Sequence, residues 1–218
     1  LKPGLFPEDK RTMSERIHKP CIVVLAAGRS ARLGRPKQLL VYGHQSLVQH
    51  AVRTALDAGI GPVLVVTGAY QMEVEKELQG FPAIAVFNPN WEEGMGRSIQ
   101  CGTESAMGLF PETDGILFMV CDQPYVHASH LQHLWETQVE TLAPIVTSQY
   151  EGIRGTPALY HRDLFEALLS LQGDQGARPI LQRLTDQVAS VPFSEGGVDI
   201  DTEADYTQFV NKAKQDQI

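Results

Sequence analysis

An apolar run that breaks into a small-residue turn studded with cations is the first part of this sequence able to do chemistry. It reads Val23-Val24-Leu25-Ala26-Ala27-Gly28-Arg29-Ser30-Ala31-Arg32-Leu33-Gly34-Arg35-Pro36-Lys37. Alanine and glycine let a ligand approach the backbone without a clashing side chain, and the arginines and Lys37 can neutralise a polyphosphate. Together they point to a nucleoside triphosphate. The loop is not a Walker A motif, because Lys37 is followed by Gln38 at the wrong spacing, and the dinucleotide pattern GxGxxG is absent. Its plainer reading is a glycine-containing connector with solvated basic side chains.

Two acidic segments lie far downstream. Asp122, in Met119-Val120-Cys121-Asp122-Gln123-Pro124, closes an apolar run. There an aspartate can cap a helix or hold a cation, since magnesium takes one or two carboxylates plus phosphate oxygens. In Val198-Asp199-Ile200-Asp201-Thr202-Glu203-Ala204-Asp205, an extended backbone would put Asp199 and Asp201 on one face. Thr202 is placed to cap the next helix with Asp205 as partner. Asn88-Pro89-Asn90-Trp91-Glu92-Glu93-Gly94-Met95-Gly96-Arg97-Ser98 sets an exposed-looking tryptophan and two glycines before a helix. A helix N-terminus is a ready anion site. Gly173-Asp174-Gln175-Gly176-Ala177-Arg178 reads as a glycine-rich helix start, with Pro179 in the first turn, where a missing donor does little harm. His127, His130 and His133 fan around a helix with no nearby cysteine, which does not make a zinc set.

Positioning these groups requires buried strands with their ends together. Cys21–Ala26 and Val63–Val66 are short apolar runs of that kind, and Ala83–Phe87 and Ile116–Val120 read as further strands. Between them lie helical patterns: one after Ser46, with a stripe from Leu47 to Leu56 and Gly59 at the C-cap, then Met72–Leu78, one from near Met95, and Ala128–Val139. Pro144–Thr147, Thr156–Tyr160 and Val188–Pro192 read as further strands. Asp163–Leu169, Ala177–Leu184 and Glu203–Lys214 read as helices. The alternation predicts a doubly wound α/β sheet, in which ligands bind beyond the carboxyl ends of the strands. Gly28, Asn88 and Asp122 all fall at such ends.

Of the 218 residues, 43% are hydrophobic and 20% charged, and the net charge is −8. The chain is long enough for one large α/β domain, and no Pro-, Gly- or Ser-rich linker divides it. The expected organisation is a flexible lead over 1–18 and a single domain over 19–218. The acidic balance argues against a general nucleic-acid partner, and no apolar run approaches the length of a membrane span. Cys21, Cys101 and Cys121 form no CxxC pair, which suits reduced thiols in a cytoplasmic protein.

The run from Leu25 to Lys37 resembles the LAAGxSxRxGxxK signature of MobA-like nucleotidyltransferases, most closely the molybdenum cofactor cytidylyltransferases. The likeness extends from about Pro20 to the C-terminal helix. It implies a Rossmann-like three-layer α/β/α sandwich with a mostly parallel sheet, of the nucleotide-diphospho-sugar transferase kind. Leu25, Ala26, Ala27, Gly28, Arg29 and Ser30 would then bind nucleotide together with Gly94 and Ser98 of the NxxWxxGMxxS stretch. Arg32 would grip the leaving pyrophosphate and Lys37 the reacting phosphate. The DQP and DIDT matches imply that Asp122 and Asp201 hold Mg2+, with Asp199 nearby. Strand Arg154–Leu159 and the GDQGAR loop imply acceptor contacts from Gly155, Pro157, Asp174, Gly176 and Arg178. The Ala26-Ala27 pair favours CTP over GTP. The implied reaction moves CMP from CTP onto the terminal phosphate of molybdopterin, for delivery to a molybdenum hydroxylase. Another acceptor, such as a sugar phosphate or methylerythritol phosphate, keeps the same chemistry. A non-catalytic cofactor carrier would not need the charged array, and a glycosyltransferase would carry a DxD after the central strand, where Asp122 stands without a second acid at that spacing.

Overall fold

A computed structural model describes residues 19–215; the lead expected over 1–18 lies outside the described residues. The first strand, β1 (Cys21–Leu25), is buried at every position. Its side chains alternate between two cores, as the pleat requires. Ile22 and Val24 join one cluster with residues of α1 (Leu47–Ala58), α2 (Gln71–Glu77) and α4 (Ala128–Thr141). Cys21, Val23 and Leu25 join the other, with residues of α3 (Met95–Leu109), α5 (Phe165–Leu169) and α6 (Arg178–Arg183). Sheet between two helical layers is the three-layer sandwich expected.

A short hairpin of β2 (Val41–Tyr42) and β3 (Gln45–Ser46) stands apart from the main sheet. The remaining strands are β4 (Val63–Thr67), β5 (Ile84–Phe87), β6 (Gly115–Val120), β7 (Ile145–Tyr150), β8 (Ile153–His161) and β9 (Val188–Pro192). With β1 they form a seven-stranded sheet in the order β5-β4-β1-β6-β8-β7-β9. All pairings are parallel except those of β8, which runs antiparallel to both β6 and β7. Register explains why distant motifs meet. Leu25 lies opposite Val66 on one side and Val120 on the other, so the loops after β1, β4 and β6 leave the sheet at the same edge.

Local signals place the layers. Ser46 caps α1 in a capping box with Gln49, and Gly59 ends it in the left-handed region at φ 64°. Helix α3 lies close on the sheet because Gly102 carries no side chain; a Cβ there would stand 2.7 Å from Val23 Cγ1. A third apolar cluster, Leu33, Leu40, Leu47, Ile200 and Phe209, ties the basic loop to α7 (Glu203–Gln215) and the acidic segment before it. Among the described residues no helix is long and apolar enough to cross a membrane.

Candidate functional site

At the carboxyl edge of β1 and β6 the chain leaves a cleft of about 690 Å³. Leu25, Ala26, Ala27, Gly28 and Arg29 form one wall, with Lys37 and Gln38 beside them. Trp91, Glu92, Gly94, Met95 and Ser98 form another, and Val120, Cys121 and Asp122 a third. Every nucleotide residue anticipated from sequence lines this cleft except Ser30. Its hydroxyl instead accepts the Lys37 N–H at 3.1 Å.

The charged groups converge where that loop meets the acids. Lys37 Nζ donates to Asp122 Oδ2 and, at 3.0 Å, to Asp201 Oδ1. Arg32 donates to the other oxygen of Asp201 at 2.7 Å, across 169 residues of sequence. Arg35 holds Glu203 through two hydrogen bonds, 2.6 and 2.9 Å long. The two acidic segments are themselves joined, since the Ile200 N–H donates to the Asp122 carbonyl at 3.1 Å. Thr202 and Asp205 cap α7 reciprocally, the arrangement read from the sequence.

Electrostatics follow from this crowding. Burial alone would lower the Lys37 ammonium, but the charges and hydrogen bonds of Asp122 and Asp201 outweigh it and hold the group above its ordinary range. Asp199 is pushed up to about 6, first by lost hydration and then by the charges of Asp122 and Asp201. Burial, aided by Asp122, pushes the Cys121 thiol up to about 12, so it stays protonated and is no nucleophile.

Among the described residues no three or more His, Cys, Asp or Glu side chains form a metal cage. Asp122 and Asp201 nonetheless suit magnesium. They are hard oxygen donors that meet at the Lys37 ammonium, with Arg32 on the second oxygen of Asp201, and two carboxylates suffice where phosphate oxygens complete the shell.

The expected acceptor residues divide. Asp174 lines the same cleft as the nucleotide residues, because its loop packs on α3. A Cβ at Gly94 would meet Asp174 Oδ1 at 2.4 Å and the Gly173 backbone at 2.7 Å. Gly176 is buried against Met95, and Arg178 stands exposed at the start of α6. Gly155 and Pro157 lie on β8, away from the cleft lining, where Tyr150 packs over Gly155 and Ser148 donates to the Pro157 carbonyl at 2.8 Å. Trp91, which looks exposed in the sequence, is half-buried and packs on the core beneath the cleft. For Asn88, whose amide donates to Ser98 Oγ at 3.1 Å, sequence reasoning gave only a place at a strand end. It passed over Gln123, buried between Thr156 at 3.1 Å and the Gly196 carbonyl at 2.9 Å.

A mostly parallel α/β sheet carries a basic glycine loop after β1 that faces Asp122 after β6 and Asp201 before α7, an arrangement suited to the phosphates of a nucleotide. The chain belongs to the family of the MobA-like NTP transferase domain, whose sequence profile matches residues 22–188. It is 30% identical over 169 residues to the purine catabolism protein PucB of Bacillus subtilis (strain 168), covering 73% of this chain and 79% of PucB. Among solved structures it is similar to Rv0371c of Mycobacterium tuberculosis H37Rv, with TM-score 0.77 and 26% identity over 88% of this chain and 98% of that one. A nucleotidyl transferase from Methanothermobacter thermautotroptrophicus matches with TM-score 0.76 and 26% identity, covering 91% and 99% of the two chains.

Proposed function

We propose that residues 19–218 act as one cytoplasmic domain that transfers CMP from CTP to the terminal phosphate of molybdopterin, releasing pyrophosphate. The observation that carries this reading is the convergence of Arg32, Lys37, Asp122 and Asp201 beside the Ala26–Arg29 wall of the cleft. The acceptor and the choice of CTP rest on the sequence resemblance and on the Ala26-Ala27 pair.

A phosphate oxygen of the acceptor attacks the α-phosphorus of CTP in line. A new P–O bond forms, the bond to the β-phosphate oxygen breaks, and the electron pair leaves with pyrophosphate. The attacking oxygen is already anionic near neutral pH, so no strong general base is needed. Positioning and charge neutralisation supply the rate. Loop Leu25–Ser30 holds the nucleotide, with Gly94 and Ser98 on its far side. Lys37 offsets charge on the transferred phosphoryl group and Arg32 on the departing one. Asp122 and Asp201 would hold Mg2+, which when bound neutralises phosphate charge and aligns the reacting oxygens. Gly155, Pro157, Asp174, Gly176 and Arg178 remain the assignment for the acceptor, and a molybdenum hydroxylase the destination of the product.

Pyrophosphate release is the test, with CTP, GTP or ATP crossed against molybdopterin, a sugar phosphate and methylerythritol phosphate, with and without magnesium. Turnover confined to CTP and molybdopterin is expected. Faster turnover with another pair would move the assignment to that pair, and none with any would leave a carrier.

A further inference from the structure

Gln38 is the residue after Lys37, on a single turn of 3-10 helix over Lys37–Leu39, and its relative exposure is only 1%. A polar side chain so deeply buried must be satisfied internally, and the way Gln38 is satisfied bears on the nucleotide loop. Its Nε2 donates to the carbonyls of Ala26 at 3.0 Å and Gly28 at 2.6 Å. Carbonyls only accept, so the amide is oriented with nitrogen toward the loop. Its oxygen then faces the Ser30 hydroxyl at 3.5 Å. The third carbonyl of the loop, that of Ala27, is taken by the Ala69 N–H at 3.0 Å.

In a trans peptide each C=O points opposite to the following N–H. Holding the Ala26 and Gly28 carbonyls on Gln38 therefore turns the N–H groups of Ala27 and Arg29 away from it. Those residues line the cleft, and backbone N–H groups facing a concavity attract an anion.

We propose that Gln38 is a positioning residue for the triphosphate: its side-chain amide fixes the Ala26–Ala27 and Gly28–Arg29 peptide planes so that the N–H groups of Ala27 and Arg29 meet phosphate oxygens. The inference rests on the nucleotide-transfer reading above. Without Gln38 the two carbonyls lose their donor, the planes are free to rotate, and a carbonyl oxygen can face the phosphates in place of an N–H. Only the phosphate-bearing part of the nucleotide feels that change.

The experiment measures the KM for CTP, kcat, the inhibition constant of pyrophosphate, the affinity for cytidine and the melting temperature. It uses the full chain as wild type, Gln38→Met, Gln38→Glu and Ser30→Ala. Methionine fills the space without donors; glutamate sets a carboxylate against two carbonyl oxygens. Loss of two buried hydrogen bonds predicts that Gln38→Met raises the KM for CTP and the pyrophosphate inhibition constant together, by roughly tenfold or more. Cytidine affinity stays as in the wild type and kcat changes less than KM. Gln38→Glu is worse than Gln38→Met. Ser30→Ala, which loosens the amide at little cost in volume, shows the same pattern at smaller size and decides the matter if neither Gln38 variant folds. A lowered melting temperature with unchanged KM and inhibition constant, or equal weakening of cytidine and CTP, overturns the inference alone. A wild type that binds neither CTP nor pyrophosphate overturns it together with the proposed function.

Discussion

Replacing Lys37 by methionine keeps the aliphatic stem and removes the ammonium that joins Asp122 to Asp201. At 3.0 Å, and with the effective dielectric of about 20 suited to partly buried pairs, each attraction is about 5 kcal/mol before desolvation is counted. The Lys37 side chain is only 20% exposed and that of Asp122 13%, so solvent does little to screen the acids left behind. Desolvation offsets most of the gross attraction. Removing one partner of a pair this buried therefore costs the fold about 3–5 kcal/mol, or roughly 6–20 °C of Tm for a domain of this size. The kinetic loss is larger in consequence, because in the proposed reaction the ammonium also faces the charge that builds on the transferred phosphoryl group. Removing one such preorganised group costs about 10²–10³ in kcat. The assay is CTP-dependent pyrophosphate release beside thermal melts with and without magnesium. Lys37→Met should lose turnover and gain more Tm from magnesium than the wild type, since Asp122 then lacks its counter-charge and Asp201 keeps only Arg32. A kcat close to wild type, or equal magnesium shifts in both proteins, would refute the reasoning.

Three other perturbations test the framework around the cleft. Gly94→Ala puts a Cβ into Asp174 and the Gly173 backbone at a residue whose φ is 102°; about 1–3 kcal/mol of strain and a raised KM for CTP are expected, and an unchanged KM would separate Gly94 from the nucleotide. Ser46→Ala removes the capping box of α1 at a cost of about 1 kcal/mol, and kcat should stay as it was. His130 is buried on Phe193, with Ser148 Oγ 2.7 Å from Nε2; burial first, then His133 and His127, lower it from 6.5 to about 4. Between those values the unfolded chain takes a proton that the folded one refuses, so as pH falls from about 6.5 to about 4 up to ~3 kcal/mol of stability is lost. Urea midpoints against pH for wild type and His130→Gln measure this contribution, and parallel curves would exclude it.

Much of the fold was legible because its strands are buried on both faces. Cys21–Ala26 and Val63–Val66 read as unbroken apolar runs and became β1 and β4, and Ser46 and Gly59 announced the ends of α1. Legibility failed where burial is one-sided or the turn chemistry unusual. The first half of β8, Ile153 to Thr156, is exposed or half-buried and carries no apolar run, so only its buried end was read as a strand. Its antiparallel direction follows from a two-residue hairpin turn in which Glu151 and Gly152 both take positive φ, 50° and 76°. A glutamate at the first of those positions gives little sign of it. The two-residue strands β2 and β3 are too short to show any period.

At the cleft, residue types were legible and partners were not. A lysine and an aspartate 164 positions apart share no spacing from which a contact can be read, and Gln38 beside a lysine looks solvated until the register is known. What brings the acids to the loop is apolar. Arg35 and Glu203 are each about half exposed, at 49% and 56%, and exposed ion pairs contribute little to holding two segments together. Ile200 and Phe209, by contrast, are 0% and 3% exposed against Leu33, Leu40 and Leu47. That cluster binds the acidic segment to the basic loop whether or not the charges pair. In the proposed reaction the ion pairs beside the cleft are then free to open for a triphosphate and its metal without releasing α7. Charge sets what the site can bind, and the buried leucines set where that charge stands.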